Sequence, residues 1–546
     1  MRKKICGVLA LALAAALLAA GCSSAASDDS DAEETTAKVD LDAEIKSDMN
    51  ENEEAIQEEL IEGLIYDTEA QAEVKAELDE EKTADTYTPD NILVEYNPFG
   101  SNTLSLYIYF ETEEAADVSY TVHVEDEDIA DFTQSAWQEQ DYQTEHEFQV
   151  IGLVPDMENT VTFTIVYEDG TQDHSDITYE MGSLLGDEEV QLEVTEGTST
   201  QELSDGIYVV LGNDSEQLDF MYYYDNNGVI RGEIPIVGYR SHRLLFEGDS
   251  IFFSVSEYRL AEMNRLGQIV NVYQFGDYKL HHDYVFDDDG NILVLGTDTT
   301  TDTQEDVILL LDRESGQVAE IIDMGDLLAD YKEACYERYD EDDMDWIHLN
   351  TIQWTGGDDS IIVSSRETST IIKISDIYSD PEITWMIGSE ELWEGTGYED
   401  LLFTQAGDFT IQGGQHSVTY VEDESLDEGQ YYLYLYNNNI GISNTNPDFD
   451  WSSIGLTTSS AADGDASYYY KYLVDESART FELVDSFAVP YSGYVSSVQD
   501  LESTTVVDSG IPGYFAEYDE DHELIRSFTM STDKFVYRVY KYVLDE

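Results

Sequence analysis

Basic residues are scarce in this chain. Against 119 aspartates and glutamates stand 24 lysines and arginines, a formal charge of -95 over 546 residues. Nucleic acid is excluded as a partner, since its affinity rests on Lys and Arg neutralising phosphates. The same field repels any anionic substrate, which needs a local pocket of these rare cations. Each arginine or histidine in a core-like segment therefore carries extra weight. Cysteine is scarcer still: Cys6, Cys22 and Cys335. If Cys6 leaves with an export signal and Cys22 carries lipid, the mature monomer has no internal disulfide, and Cys335 reads as a buried structural thiol.

A long apolar run occurs only at the start. Arg2, Lys3 and Lys4 precede an apolar stretch over residues 5–18, and Ala19, Ala20, Gly21 and Cys22 resemble a lipobox. A transmembrane helix needs about 20 apolar residues, and this run is shorter and ends in small residues. Residues 1–22 are therefore expected to be a lipoprotein signal with lipid on Cys22. The protein is then exported and held at the cell surface or in the periplasm; plain secretion and an uncleaved anchor are the alternatives. Several motifs are absent as well. No HExxH or CxxC spacing, no GxGxxG or P-loop between strand and helix, and no GxSxG elbow occurs, so the reading assigns neither cofactor nor metal.

What is present begins with an acidic stretch over residues 23–87. Its first part is rich in Ser, Ala, Asp and Glu and reads as a flexible stalk. Over residues 39–82 Ala55, Leu60, Ile61, Leu64 and Ile65 recur at helical spacing, which suits a dimer contact, a spacer from the membrane, or a helix packed on the next domain. Over residues 88–182 the period changes to two. Leu104, Leu106, Ile108 and Phe110 alternate with Ser105, Tyr107 and Tyr109, and Val118, Tyr120 and Val122 repeat the pattern, as a small β-sandwich requires. Residues 203–546 divide into about six strand groups starting near Gly206, Arg243, His281, His348, Gln415 and Gly493. Units of this size with about four strands each predict a six-bladed β-propeller, so the fold class is all-β.

A propeller's innermost strands converge on a central channel, and three of these units open with histidine. His282 shares phase with Tyr284 and Phe286, His348 with Asn350 and Ile352, and His416 with Val418 and Tyr420. His281 has the less apolar phase and is read as a neighbour of the channel residue His282. Arg366 ends the strand that follows His348 and is a cation available to an anion. Three histidines are also a catalytic zinc set, although the spacing does not favour one.

The segments EYNPFGSNTLSLYIYFET (95–112) and HEFQVIGL (146–153) resemble the N-terminal domain of bacterial arylsulfate sulfotransferases. HHD, IHLNTI with SSR, and GGQH resemble successive motifs of that family's six-bladed propeller. The resemblance runs from about residue 90 to the end of the chain. It implies PAPS-independent transfer of a sulfuryl group from a phenolic sulfate donor to a phenolic acceptor, with no cofactor. It places the nucleophilic histidine on His416, as a transient sulfohistidine, and supporting groups on His282, His348, Asn350 and Arg366. A hydroxyl residue falls on Ser496 or Ser497. The chain departs from the pattern in lacking the cysteine pair of some periplasmic members, in its acidic stalk and lipobox, and in a long, tyrosine-rich fifth blade. Aromatic walls suit aryl substrates. Two other classes stay open from the residues alone: a non-catalytic surface lipoprotein binding a glycan or protein, and a metal-dependent sulfate ester hydrolase.

Overall fold

The structure is a computed structural model that describes residues 63–544, apart from residue 187 and residues 213–219, 337–343, 460–464 and 533. The proposed signal, Cys22, the stalk, and Ala55, Leu60 and Ile61 lie outside the described residues.

The N-terminal domain is a sandwich built around one long strand, Ser105–Val124. Its first half pairs with Leu93–Tyr96 and Gln143–Ile151, its second half with Phe132–Ser135 and Glu158–Tyr167, and the register breaks between Glu111 and Ala116. The strand thus passes from one layer to the other at that corner. Leu106, Ile108, Phe110, Val118, Tyr120 and Val122 point into the core as their alternation predicts. Tyr107 and Tyr109, on the opposite face, are buried too, because the helix Thr68–Lys82 covers them with Val74 and Leu78. Asp67 caps that helix through Glu69 N and Ala70 N, satisfying two of the amides a helix start leaves orphaned. At its other end Lys82 Nζ meets Glu147 Oε2 at 2.8 Å.

Six sheets follow as the blades of a propeller, four of them four-stranded and the fifth and sixth five-stranded. The second, third and fourth are contiguous in sequence, and their inner strands are Leu245–Glu247, Tyr278–Phe286 and Leu349–Trp354. The fifth has inner strand His416–Val421 and an additional outer strand, Thr404–Ala406. Closure is twofold. The first blade takes its inner strand, Val539–Tyr542, from the end of the chain, while the sixth, with inner strand Ser497–Asp500, gains Glu193–Glu196 on its outside. Such an exchange leaves no open edge between the first and last blades.

Hydrogen bonds around the axis join each inner blade region to the next. Arg243 Nε donates to Asp283 Oδ1 at 2.7 Å, and Asp283 Oδ2 accepts from Ile352 N at 3.1 Å. Asn350 Nδ2 donates to Gln415 O at 2.7 Å, Ser417 Oγ to Val498 O at 3.1 Å, and Ser497 Oγ to Val539 O at 2.9 Å. Arg538 completes the circuit with a 3.0 Å bond to His242 O.

The sandwich docks on the first two blades. The outermost strand of the first blade, Ile230–Pro235, is buried along its whole length, whereas a blade's outer strand ordinarily meets water. Arg231, paired with Asp225 at 2.8 Å, donates to Gly152 O and Ala130 O in the sandwich. Ser101 Oγ reaches Gly267 O of the second blade. The helix completes the joint: Gln71 Nε2 donates to Phe99 O at 2.8 Å and its Oε1 accepts from Ile269 N at 3.1 Å. One hydrophobic core runs through the sandwich and both blades.

Candidate functional site

The inner strands do not keep a simple two-residue alternation where the histidines sit. Register breaks fall between Leu280 and Tyr284, between Leu349 and Thr351, and between His416 and Thr419. His282, His348 and Ser417 each have positive φ, at 56°, 49° and 56°. Non-glycine residues rarely adopt this conformation, and a bulge re-aims the side chains around it. The expected phase sharing of His282 with Tyr284 and Phe286 is therefore broken, and His281 and His282 are both buried. The rings of His282 and His348 come within 4.7 Å, centroid to centroid.

His416 is held by a polar frame that fixes its tautomer. Its Nδ1 lies 3.0 Å from Gly414 O and 2.8 Å from Asn438 Oδ1. Asn438 Nδ2 donates to Ser492 O and Val495 O, which orients the amide so that its oxygen faces the imidazole. Both partners of Nδ1 are therefore acceptors, so Nδ1 carries the proton and Nε2 keeps its lone pair. Burial, joined by the charges of Arg366, His348 and Arg538, pushes the His416 pKa down to about 3. The ring is thus neutral at any ordinary pH.

Its neighbour has the opposite character. His348 Nδ1 lies 2.6 Å from both Asp345 Oδ2 and Glu305 Oε2. Burial and the Arg366 charge act to lower its pKa, yet the two carboxylates outweigh them and raise it to about 9. His348 is an imidazolium at neutral pH, with Nδ1–H held by carboxylates and Nε2–H left for the channel. Arg366, whose backbone N donates to His348 O at 3.0 Å, presents its guanidinium to Asp345 and Glu367 at 3.2 and 2.9 Å.

His282 joins the same network. Its Nε2 is 3.1 Å from Glu305 Oε2 and its Nδ1 is 2.9 Å from the Tyr537 hydroxyl. Since the carboxylate only accepts, Nε2 bears the proton and Nδ1 accepts from Tyr537. Burial holds this imidazole well below its ordinary pKa, consistent with one proton. Glu305 accordingly serves two histidines at once.

The glycines before His416 make room for protein. A Cβ on Gly413 would meet Leu456 Cδ1 at 2.5 Å and Ile440 O at 2.7 Å, and Gly414 has φ of +60°. Gly414 N is bound by Ser369 Oγ, and Gln415 Nε2 by Ser364 Oγ and Ser365 O. Asn350, through its bond to Gln415 O, braces the same loop. The Ser497 hydroxyl is engaged by both Val539 O and Val539 N in the inter-blade bond, and Ser496 Oγ accepts from Gly510 N.

The structure thus brings His282, His348, His416, Asn350 and Arg366 into one cluster, with His281 against His282. Sequence reasoning missed Glu305, Asp345, Asn438, Tyr537 and Arg538. Asp345 carried a usable signal, three residues before His348 in a segment already singled out. Glu305 sits in a loop without periodicity, and Tyr537 reaches the axis only through ring closure. The cations that an anion requires are here: Arg366 and Arg538 both act on His416, and Arg240 stacks over Tyr537 at 4.1 Å.

A family model described as Arylsulfotransferase (ASST) matches residues 193–541, and one described as Arylsulfotransferase Ig-like domain matches residues 93–182. No curated protein matches the chain. Solved structures with similarity include a candidate 6-phosphogluconolactonase from Bacteroides uniformis ATCC 8492, 12% identical over 77% of this chain and 98% of that one, with a TM-score of 0.33. A nidogen/laminin complex chain is 9% identical over 61% and 97%, with a TM-score of 0.35. The WD40 domain of Toxoplasma gondii coronin is 7% identical over 62% and 76%, with a TM-score of 0.31. All three likenesses are remote.

Proposed function

The chain belongs to the arylsulfotransferase family, and from that membership we propose that it moves a sulfuryl group from a phenolic sulfate ester to a phenolic acceptor, without PAPS, through a sulfohistidine on His416. The observation that carries the proposal is the tautomer lock: two acceptors hold Nδ1–H and leave the Nε2 lone pair for attack. Covalent catalysis of this kind divides one hard displacement into two easier ones.

In the first half-reaction Nε2 of His416 bonds to the ester sulfur as the bond from sulfur to the aryl oxygen breaks. The phenolate takes a proton from Nε2 of the His348 imidazolium and leaves as phenol. A donor with a pKa of about 9 is well matched to a phenol of about 10. In the second half-reaction the acceptor phenol returns a proton to His348, its oxygen bonds to sulfur, and the bond from sulfur to Nε2 breaks. Sulfuryl transfer, like phosphoryl transfer, places charge on peripheral oxygens, and Arg366 with His348 supplies positive charge against it. Asn438 and Gly414 O stabilise the substituted imidazole through Nδ1–H.

The location proposal accompanies this one: an exported lipoprotein anchored through Cys22 to the membrane surface, with the acidic stretch as a spacer and a homodimer as one use of it. Among the described residues no helix is long and apolar enough to cross a membrane. The activity proposal is tested with a chromogenic aryl sulfate, with and without added phenol. Product that depends on the acceptor supports a transferase; release into water without acceptor indicates the hydrolase, and silence the binding module.

A further inference from the structure

His281 has no part in the transfer just described, yet it is buried at the propeller axis, and neither ring nitrogen makes a hydrogen bond there. The Glu305 carboxylate and the Gly296 backbone both stand near the ring and favour a proton on it. A buried polar group left unmatched is costly, so its direction matters. In a regular strand His281 and His282 would face opposite sides. The left-handed conformation of His282 and the register break beside it bring both imidazoles to one side, with ring centroids 5.1 Å apart. One nitrogen of each and a carboxylate oxygen of Glu305 all lie within 4.8 Å of one another.

From this geometry we infer a site for a first-row divalent metal ion on His281, His282 and Glu305. Two imidazoles and one carboxylate are a donor set suited to zinc, cobalt, nickel or copper, and ill suited to magnesium or calcium, which prefer oxygen throughout. Bonds of about 2.0–2.2 Å ask for ligand atoms a little over 3 Å apart. The 3.1 Å separation of His282 Nε2 from Glu305 Oε2 already meets that, and a small rotation of His281 brings in the third.

Such an ion is an inhibitor. It claims the nitrogen that His282 otherwise uses to donate to Glu305, and it draws Glu305 Oε2 away from His348 Nδ1, which it meets at 2.6 Å. The inhibition rests on the transferase reading; the binding does not, which keeps the two separable.

The full-length protein is stripped with chelator and titrated with cobalt(II) chloride, followed by absorption, and with zinc chloride in a calorimeter. Wild type is expected to take up one ion with the bands of a nitrogen and oxygen site and no thiolate charge transfer. His281→Ala and Glu305→Gln should weaken binding by at least about 100-fold, more than loss of an outer-shell partner costs. Asp345→Asn and His522→Ala should retain it. Should His281→Ala fail to fold by near-UV circular dichroism, His281→Gln, which keeps the side-chain bulk, decides the matter. Wild type that binds no ion, or His281 variants that bind as wild type does, overturns the inference. So does loss in Asp345→Asn alone, which places the ion on Glu305, Asp345 and His348 instead.

Discussion

At the scale of the residue, the proposed transfer asks for two histidines of opposite character, and the surroundings of His416 and His348 differ in that way. His416 is neutral because it is buried against acceptors and near cations; His348 is charged because two carboxylates share its Nδ1. Replacing Asn438 with leucine removes one acceptor and loosens the tautomer, so kcat should fall on the order of 10²-fold while the donor KM changes little. A KM effect with kcat intact would assign Asn438 to binding. The pH dependence follows from the same contrast. Transfer should hold through neutral pH and decline as pH rises through about 9, where the His348 imidazolium is lost. Asp345→Asn should shift that decline to lower pH in a kcat/KM profile; a limb that does not move belongs to another group. The stability signs agree. The raised pKa of His348 contributes stability below the unfolded value of about 6.5, lost as pH rises through about 9. The depressed pKa of His416 contributes above about 6.5, lost as pH falls toward about 3.

At the scale of the element, the inner strands are joined by side chains rather than by a shared sheet, and Asp283 bears the most. It is fully buried and accepts from Arg243, Arg538 and Ile352 N. Asp283→Ala leaves two guanidinium groups without their carboxylate and should cost about 3–5 kcal/mol in urea unfolding; a loss under about 1 kcal/mol contradicts this account of closure. Much of the architecture was legible in the sequence, because alternating Leu106, Ile108 and Phe110 and the repeated turn-bounded strand groups report a period that burial enforces. His282, His348 and His416 were legible as blade openings. The bulges were not, since a left-handed residue such as His282 leaves no mark in composition. Nor was the pairing of Glu193–Glu196 and Val539–Tyr542 with strands at the other end of the propeller, because such pairing is a property of closure. The glycines of GGQH are there because Leu456 and Ile440 pack against them.

At the scale of the whole molecule, a chain with a formal charge of -95 carries an axis lined with arginine and histidine. The outer field repels a sulfate ester, and the inner groups attract it. Screening at physiological salt acts beyond about 8 Å, so it weakens the distant repulsion more than the buried contacts. The donor KM should therefore fall as salt rises from about 10 to about 150 mM; a KM that rises means the local arginines dominate even at long range. The intact chain also offers the most direct measurement of the central claim. Protein mixed with aryl sulfate donor in the absence of acceptor is quenched and its mass determined, then digested to locate any adduct. The account predicts one acid-labile sulfuryl group per chain, on the peptide containing His416, discharged by added phenol and missing in His416→Ala. An adduct that persists in His416→Ala, or none in a protein that turns over the same donor and acceptor, contradicts it.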